Sequence, residues 1–155
     1  MILATLATLL LTFAPPFEAT VISVYDGDTI TIRTDETIKI RLDGIDAPEL
    51  KQPFGQASKQ AMSSLVFGQT VTIKPDKKDR YGRLLARVEI AGKDASLTMV
   101  ESGMAHWYEQ YAKTDTQLQT AQAQAKTARR GLWSDPTVIA PWEYRKRPQT
   151  KGEKK

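Results

Sequence analysis

The chain has 155 residues, 41% apolar and 26% charged, which is the make-up of one folded domain large enough to bury a core. It contains no cysteine, so disulfides, thiolate metal centres and lipid-modified cysteines are excluded, while an oxygen-liganded hard cation is not. A formal net charge of +4 admits a polyanionic partner without requiring one.

The chain opens on a stretch without charge, Met1 to Leu11, that continues through Thr12 to Pro16; the first charged residue is Glu18. This run is shorter than the ~20 residues that cross a bilayer and has the length of a signal-peptide apolar region. No Lys or Arg precedes it, and Ala14 and Ala19 both offer a cleavage point. Residues 1–19 are therefore read as a signal peptide. This predicts a secreted or periplasmic protein with no membrane span once the segment is removed.

Three strands follow. Thr20 to Tyr25 is rich in β-branched residues and ends at an Asp-Gly turn, and Thr29 to Arg33 and Thr37 to Leu42 alternate apolar with polar. Short polar connections make these a meander. Pro53 to Phe67 has helical character, with Ala57, Ala61, Met62 and Leu65 near one face and Gly68 as its stop. Thr70 to Lys74 and Leu84 to Ile90 read as a strand pair. Two more helices are predicted. Asp94 or Ser96 caps the first, with Leu97, Val100 and Met104 as its apolar stripe. Asp115 caps the second, which runs through Leu118, Ala121, Ala125 and Ala128 to Gly131. Leu132 and Trp133 read as core anchors. Beyond Pro136 the pattern becomes irregular, and residues 137–155 read as a basic, solvated tail containing Arg145, Lys146, Arg147, Lys151, Lys154 and Lys155. The expected fold is α+β, mainly β: a five-stranded OB-fold Greek-key barrel over residues 20–136 with about three helices.

Three segments carry the chemistry. They are Asp26-Gly27-Asp28-Thr29, Arg41-Leu42-Asp43-Gly44-Ile45-Asp46-Ala47-Pro48-Glu49, and Asp79-Arg80-Tyr81-Gly82-Arg83. Clustered carboxylates suit a hard divalent cation and arginines suit phosphate. Together they are what metal-assisted phosphodiester cleavage needs. Each segment alone has a plainer reading: an ordinary Asp-Gly turn, an Arg41–Glu49 salt bridge, a charged hairpin. His106 is the only histidine, too few for a zinc site, and reads as structural. Asp26 reads as a turn residue and Asp43 as solvent-facing.

Taken in order, the three segments resemble the staphylococcal (micrococcal) nuclease family, the thermonucleases. The resemblance extends through Met99 to Ala105 and Ala121 to Trp133, and so covers roughly Thr20 to Ser134. It implies that Asp28, Asp46 and the Ala47 backbone carbonyl bind Ca²⁺, and that Glu49 orients or deprotonates the attacking water. It also implies that Arg41 and Arg83 hold the phosphate, and that Arg80 and Tyr81 contact the nucleotide. Tyr108 and Tyr111 are both candidates to border the bound nucleotide, with no choice between them. The resemblance further implies a calcium-dependent endonuclease acting on DNA and RNA with low sequence specificity and leaving 3′-phosphate ends. Such a protein is expected to be a monomer without a stable protein partner. Two features depart from the family pattern: Ala47 stands where many relatives have Thr, and the Leu50 to Gln56 stretch is shorter than the mobile loop of the best-known relative. The rival readings are a non-catalytic nucleic-acid-binding module on the same barrel and a calcium-stabilised structural protein.

Overall fold

Alternating apolar residues build a closed barrel in the computed structural model, which describes residues 14–148. Strand β1 (Phe17–Val24) pairs antiparallel with β2 (Thr29–Arg33), and β2 with β3 (Thr37–Leu42). Ile30, Ile32, Ile40 and Leu42 are fully buried, as period-two alternation on half-buried strands requires. After the short β4 (Ile45–Asp46) and helix α1 (Gly55–Val66), strand β5 (Thr70–Lys78) pairs with the other edge of β1 and with β6 (Leu84–Ile90). β6 then lies parallel to β3 through Ile40↔Leu84, Arg41↔Leu85 and Leu42↔Ala86. That one parallel pairing closes the five long strands in the order β3-β2-β1-β5-β6, the OB-type barrel expected from the sequence.

The remaining elements pack around it. They are β7 (Lys93–Asp94), α2 (Ala95–Glu101), β8 (His106–Trp107), α3 (Thr116–Thr127), a 3-10 turn (Gly131–Ser134) and α4 (Pro141–Lys146). Asp94 caps α2 by accepting the Leu97 N–H at 3.1 Å, and Asp115 caps α3 by accepting the Leu118 N–H at 3.0 Å. Arg87 on β6 pairs with both cap carboxylates, so one guanidinium ties two helix starts to the barrel wall. Among the described residues no helix is long and apolar enough to cross a membrane.

Four details differ from expectation. β1 begins at Phe17, not Thr20, and Ala19 is a buried core residue opposite Val71. A boundary after residue 19 would remove the first three residues of a paired strand. The core face of α1 is Gly55, Ser58, Met62 and Val66, while Ala57 is exposed, because the helix is rotated to bring its small residues against the turn that follows β1. In α2 the buried set is Ala95, Ser96, Met99 and Val100, and Met104 follows the helix. The segment expected to be an irregular tail contains α4, with Pro141 at its start, an acid in its first turn and bases in its last. Residues 1–13, which hold most of the predicted signal peptide, and 149–155, which hold Lys151, Lys154 and Lys155, lie outside the described residues.

Candidate active site

The site begins where β1 must reverse into β2. Asp26 makes the turn by accepting the Asp28 N–H on its Oδ1 at 3.0 Å. Gly27 is required for space: a Cβ there would fall 1.9 Å from Ser58 Oγ and 2.8 Å from the Ala47 Cβ, so α1 can close directly on the turn. Asp28 emerges almost fully buried. It accepts the Thr29 hydroxyl at 3.0 Å on Oδ1 and the Ala47 N–H at 2.7 Å on Oδ2. That last bond joins the first motif to the second across the barrel end.

Arg41 sits between the two aspartates. Its Nε is 3.2 Å from Asp28 Oδ1 and its Nη2 is 3.3 Å from Asp46 Oδ1. Its Nη1 donates to the carbonyls of Leu42 at 2.7 Å and Ile45 at 2.8 Å. Arg41 therefore also fastens the β3–β4 turn, where Gly44 takes φ +80°. Asp46 is held by that turn, and by pairing of β4 with β8 through Asp46↔His106.

Glu49 follows Pro48 in a loop folded onto the start of α1. Its N–H is accepted by Gln52 Oε1 at 3.1 Å, and its carbonyl passes 2.0 Å from where a Cβ of Gly55 would stand. Gln52 is buried and donates to the Ile139 carbonyl at 2.6 Å, which fixes this loop to the chain entering α4. From α4, Arg145 reaches back over the carboxylates. Its Nη1 donates to Asp46 Oδ1 at 3.2 Å and to Glu49 Oε1 at 2.8 Å, and its Nη2 donates to Asp46 Oδ2 at 2.8 Å. The carboxylate of Glu49 is thus paired with Arg145 and not with Arg41.

The chain matches the family described as Staphylococcal nuclease homologue over residues 39–135. It is 45% identical over 129 residues to a protein of Escherichia coli O157:H7 described as an uncharacterized endonuclease, spanning 82% of this chain and 84% of that one. It is 40% identical over 141 residues to a micrococcal nuclease of Shigella flexneri, spanning 84% and 81%. A staphylococcal-like nuclease of Arabidopsis thaliana is 34% identical over 108 residues, spanning 70% of this chain and 33% of the plant protein. The chain belongs to the staphylococcal nuclease family. It is a nuclease, a hydrolase of phosphodiester bonds.

The electrostatics of the candidate site follow from crowding carboxylates at the end of a barrel. Burial, then the neighbouring charge of Asp28, pushes the Asp26 carboxyl up to about 7. Burial also raises Asp46, against the opposing bond from Arg145. Arg145 is held more firmly protonated than usual by its bonds to Asp46 and Glu49. Among the described residues no three Asp, Glu or His side chains converge as a ligand set. The two buried carboxylates Asp28 and Asp46 are oxygen donors of the kind a hard cation would take.

The third motif forms the turn of the β5–β6 hairpin. Arg83 immediately precedes the parallel pairing of β6 with β3, which begins at Ile40↔Leu84. Its side chain is held at home: Nε donates to Asp79 Oδ2 at 2.7 Å, and its guanidinium lies 5.4 Å from the Tyr81 ring centroid. Arg80 faces the same exposed ring at 4.9 Å. Tyr108 stacks on Trp142 of α4, with centroids 5.2 Å apart and planes 3° from parallel. Burial, then the charge of Asp46, raises the Tyr108 pKa, which places its hydroxyl in the field of the site. Tyr111 packs edge-on against Tyr108 and is largely exposed. Asp43 is half-buried and engages by backbone alone, donating its N–H to the Ala86 carbonyl and accepting the Ser96 hydroxyl. Sequence reasoning missed Gln52 and Arg145. The signal for Arg145 was the helix-start proline followed by an acid and two bases; Gln52 gave none.

Proposed function

We propose that this nuclease is a calcium-dependent endonuclease that cuts DNA and RNA with little sequence preference, leaving 3′-phosphate and 5′-hydroxyl ends. The observation that carries the reading is the convergence on one guanidinium, Arg41, of two buried aspartates from different segments, with Glu49 sharing Arg145 with Asp46. Asp28, Asp46 and the Ala47 carbonyl are the groups that would hold the ion. A bound calcium supplies charge neutralisation for the phosphate and a lower pKa for water.

The side chains then divide the work. Arg41 donates to the equatorial phosphate oxygens, where charge builds up as water adds, so its interaction strengthens in the transition state. Arg83 exchanges Asp79 for the phosphate from the flanking hairpin, presenting the planar fork that lysine lacks. Glu49 sits in a fixed loop at the exposed edge of the cluster and accepts the proton of the attacking water. Arg80 and Tyr81 contact the nucleotide on the hairpin side, and Tyr108 and Tyr111 border it on the other. We further propose export of a monomer. Cleavage after Ala14 suits it best, because the barrel starts at Phe17 and loses nothing.

The deciding experiment incubates the purified protein with supercoiled plasmid, single-stranded DNA and RNA, with calcium or with a chelator, and labels the ends formed. Calcium-dependent conversion of plasmid to nicked and linear forms, with ends open to 5′-kinase labelling only, supports the reading. Equal cutting in chelator, or 5′-phosphate ends, overturns it.

A further inference from the structure

Arg145 comes from beyond the segment that matches the family, yet it makes more contacts to Asp46 than Arg41 does. Its guanidinium bridges a proposed metal ligand and the proposed base through a single nitrogen, Nη1. Asp46 Oδ1 then carries two donors, Arg41 Nη2 and Arg145 Nη1, and Oδ2 carries a third. A carboxylate offers about four lone-pair sites, so this one is nearly filled by nitrogen donors. A divalent cation and a guanidinium on the same carboxylate would also repel at close range.

The surroundings let the side chain leave while its helix stays. Asp46 is 2% exposed at its side chain, but Arg145 is 42% and Glu49 is 38% exposed. Ion pairs at such exposure are individually weak. α4 itself is fixed by other means. Pro141 is buried, Trp142 stacks on Tyr108 and meets the His106 ring edge-on at 5.5 Å, and Gln52 holds the Ile139 carbonyl.

We propose that Arg145 is a positioning residue of the nuclease centre: a tethered counter-cation that keeps Asp46 and Glu49 paired in the metal-free protein and must withdraw before both can serve, so that it sets the metal affinity. This rests on the reading of Asp46 as a metal ligand. Arg145 gives the carboxylate cluster a cation of its own and makes metal uptake a replacement of one cation by another. By the same exchange Glu49 is freed for water when the metal is in place.

The test is calorimetric titration of calcium chloride into the full-length, chelator-treated protein without nucleic acid, with folding checked by thermal denaturation. Arg145→Gln should bind calcium about tenfold more tightly than the unaltered protein, a coupling in the usual range between sites that exclude one another. Arg145→Lys, which keeps the charge but loses the fork, should fall between them. Lys146→Gln removes the same unit of charge one residue away and should leave calcium affinity unchanged. Equal or weaker calcium binding by Arg145→Gln, or an equal gain in Lys146→Gln, overturns the proposal. Asp46→Asn separates the two levels. If it binds calcium as the unaltered protein does, the reading of Asp46 as a ligand fails and the role of Arg145 falls with it. If it abolishes binding while Arg145→Gln changes nothing, only the role of Arg145 fails.

Discussion

Replacing His106 by Phe should change how stability depends on pH, by an amount the structure sets. His106 is buried, its ring lies 4.9 Å from Trp133 and 5.5 Å from Trp142, and its Nδ1 finds no hydrogen-bond partner among the described residues. Burial, then the charge of Lys126, lowers its pKa to about 4 from the ordinary 6.5. A base with a depressed folded pKa binds fewer protons in the native than in the unfolded state. Its contribution is therefore neutral above the unfolded value and increasingly destabilising as pH falls from 6.5 towards 4. At 1.36 kcal/mol per unit, the full window is about 3 kcal/mol, of which about 2 kcal/mol is reached between roughly pH 7.5 and pH 5. The raw stability curve hides this. Asp26 is an acid whose folded pKa is raised to about 7, so the native state binds its proton first and gains stability over nearly the same descent. The informative quantity is the difference between the unaltered protein and His106→Phe, from urea denaturation in chelator at both pH values. The variant should gain about 2 kcal/mol relative to the unaltered protein on acidification. A difference that stays constant within a few tenths of a kcal/mol refutes the assignment of a buried, neutral imidazole.

Three other outcomes follow from the site and the fold. Glu49→Gln should lower kcat by about 10²- to 10⁴-fold, the usual worth of a general base, while DNA affinity in calcium measured by anisotropy changes little; equal losses in both would remove the catalytic role. Arg83→Lys should cut kcat/KM about 100-fold or more, because a point charge replaces a bidentate fork, and near-normal steady-state rates would take Arg83 out of the site. Asp115→Ala removes the cap of α3 and one of the two partners of Arg87. Thermal or urea unfolding should show a loss of about 1–2 kcal/mol, with kcat unchanged at temperatures where the variant is folded.

The barrel was legible because its strands are half-buried and short, so the alternation in Thr29–Arg33, Thr37–Leu42 and Leu84–Ile90 maps onto strands with the same bounds. The two aspartates were legible for a related reason: each sits where a strand with clear alternation gives way to a glycine-containing turn. Less visible was anything fixed by contacts distant in sequence. The pairing of Phe17, Glu18 and Ala19 with β5 carries no local mark, and an apolar leader running into it obscures the strand start. Gln52 is polar in a loop and becomes structural only because Ile139 passes over it. α4 has six residues, too few for a periodic stripe, and its basic composition reads as solvated until Trp142 meets Tyr108.

Arg41 shows why position alone does not partition fold from chemistry at this site. Two of its bonds end on the Leu42 and Ile45 carbonyls, and the same guanidinium spans Asp28 and Asp46. Lysine at this position would keep the charge but could not reach four acceptors in different directions. Each backbone carbonyl left without a donor in a partly buried turn costs about 1–3 kcal/mol, and the turn so loosened is the one that presents Asp46. Inactivity of an Arg41 variant therefore follows equally from loss of its proposed phosphate contact and from a displaced Asp46. Arg83 is the cleaner probe of the proposed phosphate role, because its partners Asp79 and Tyr81 lie on its own hairpin. If Arg83→Lys loses turnover while calcium affinity holds, the guanidinium fork acts on substrate. If both fall together, the hairpin supports the metal ligands and the phosphate role of Arg83 is lost.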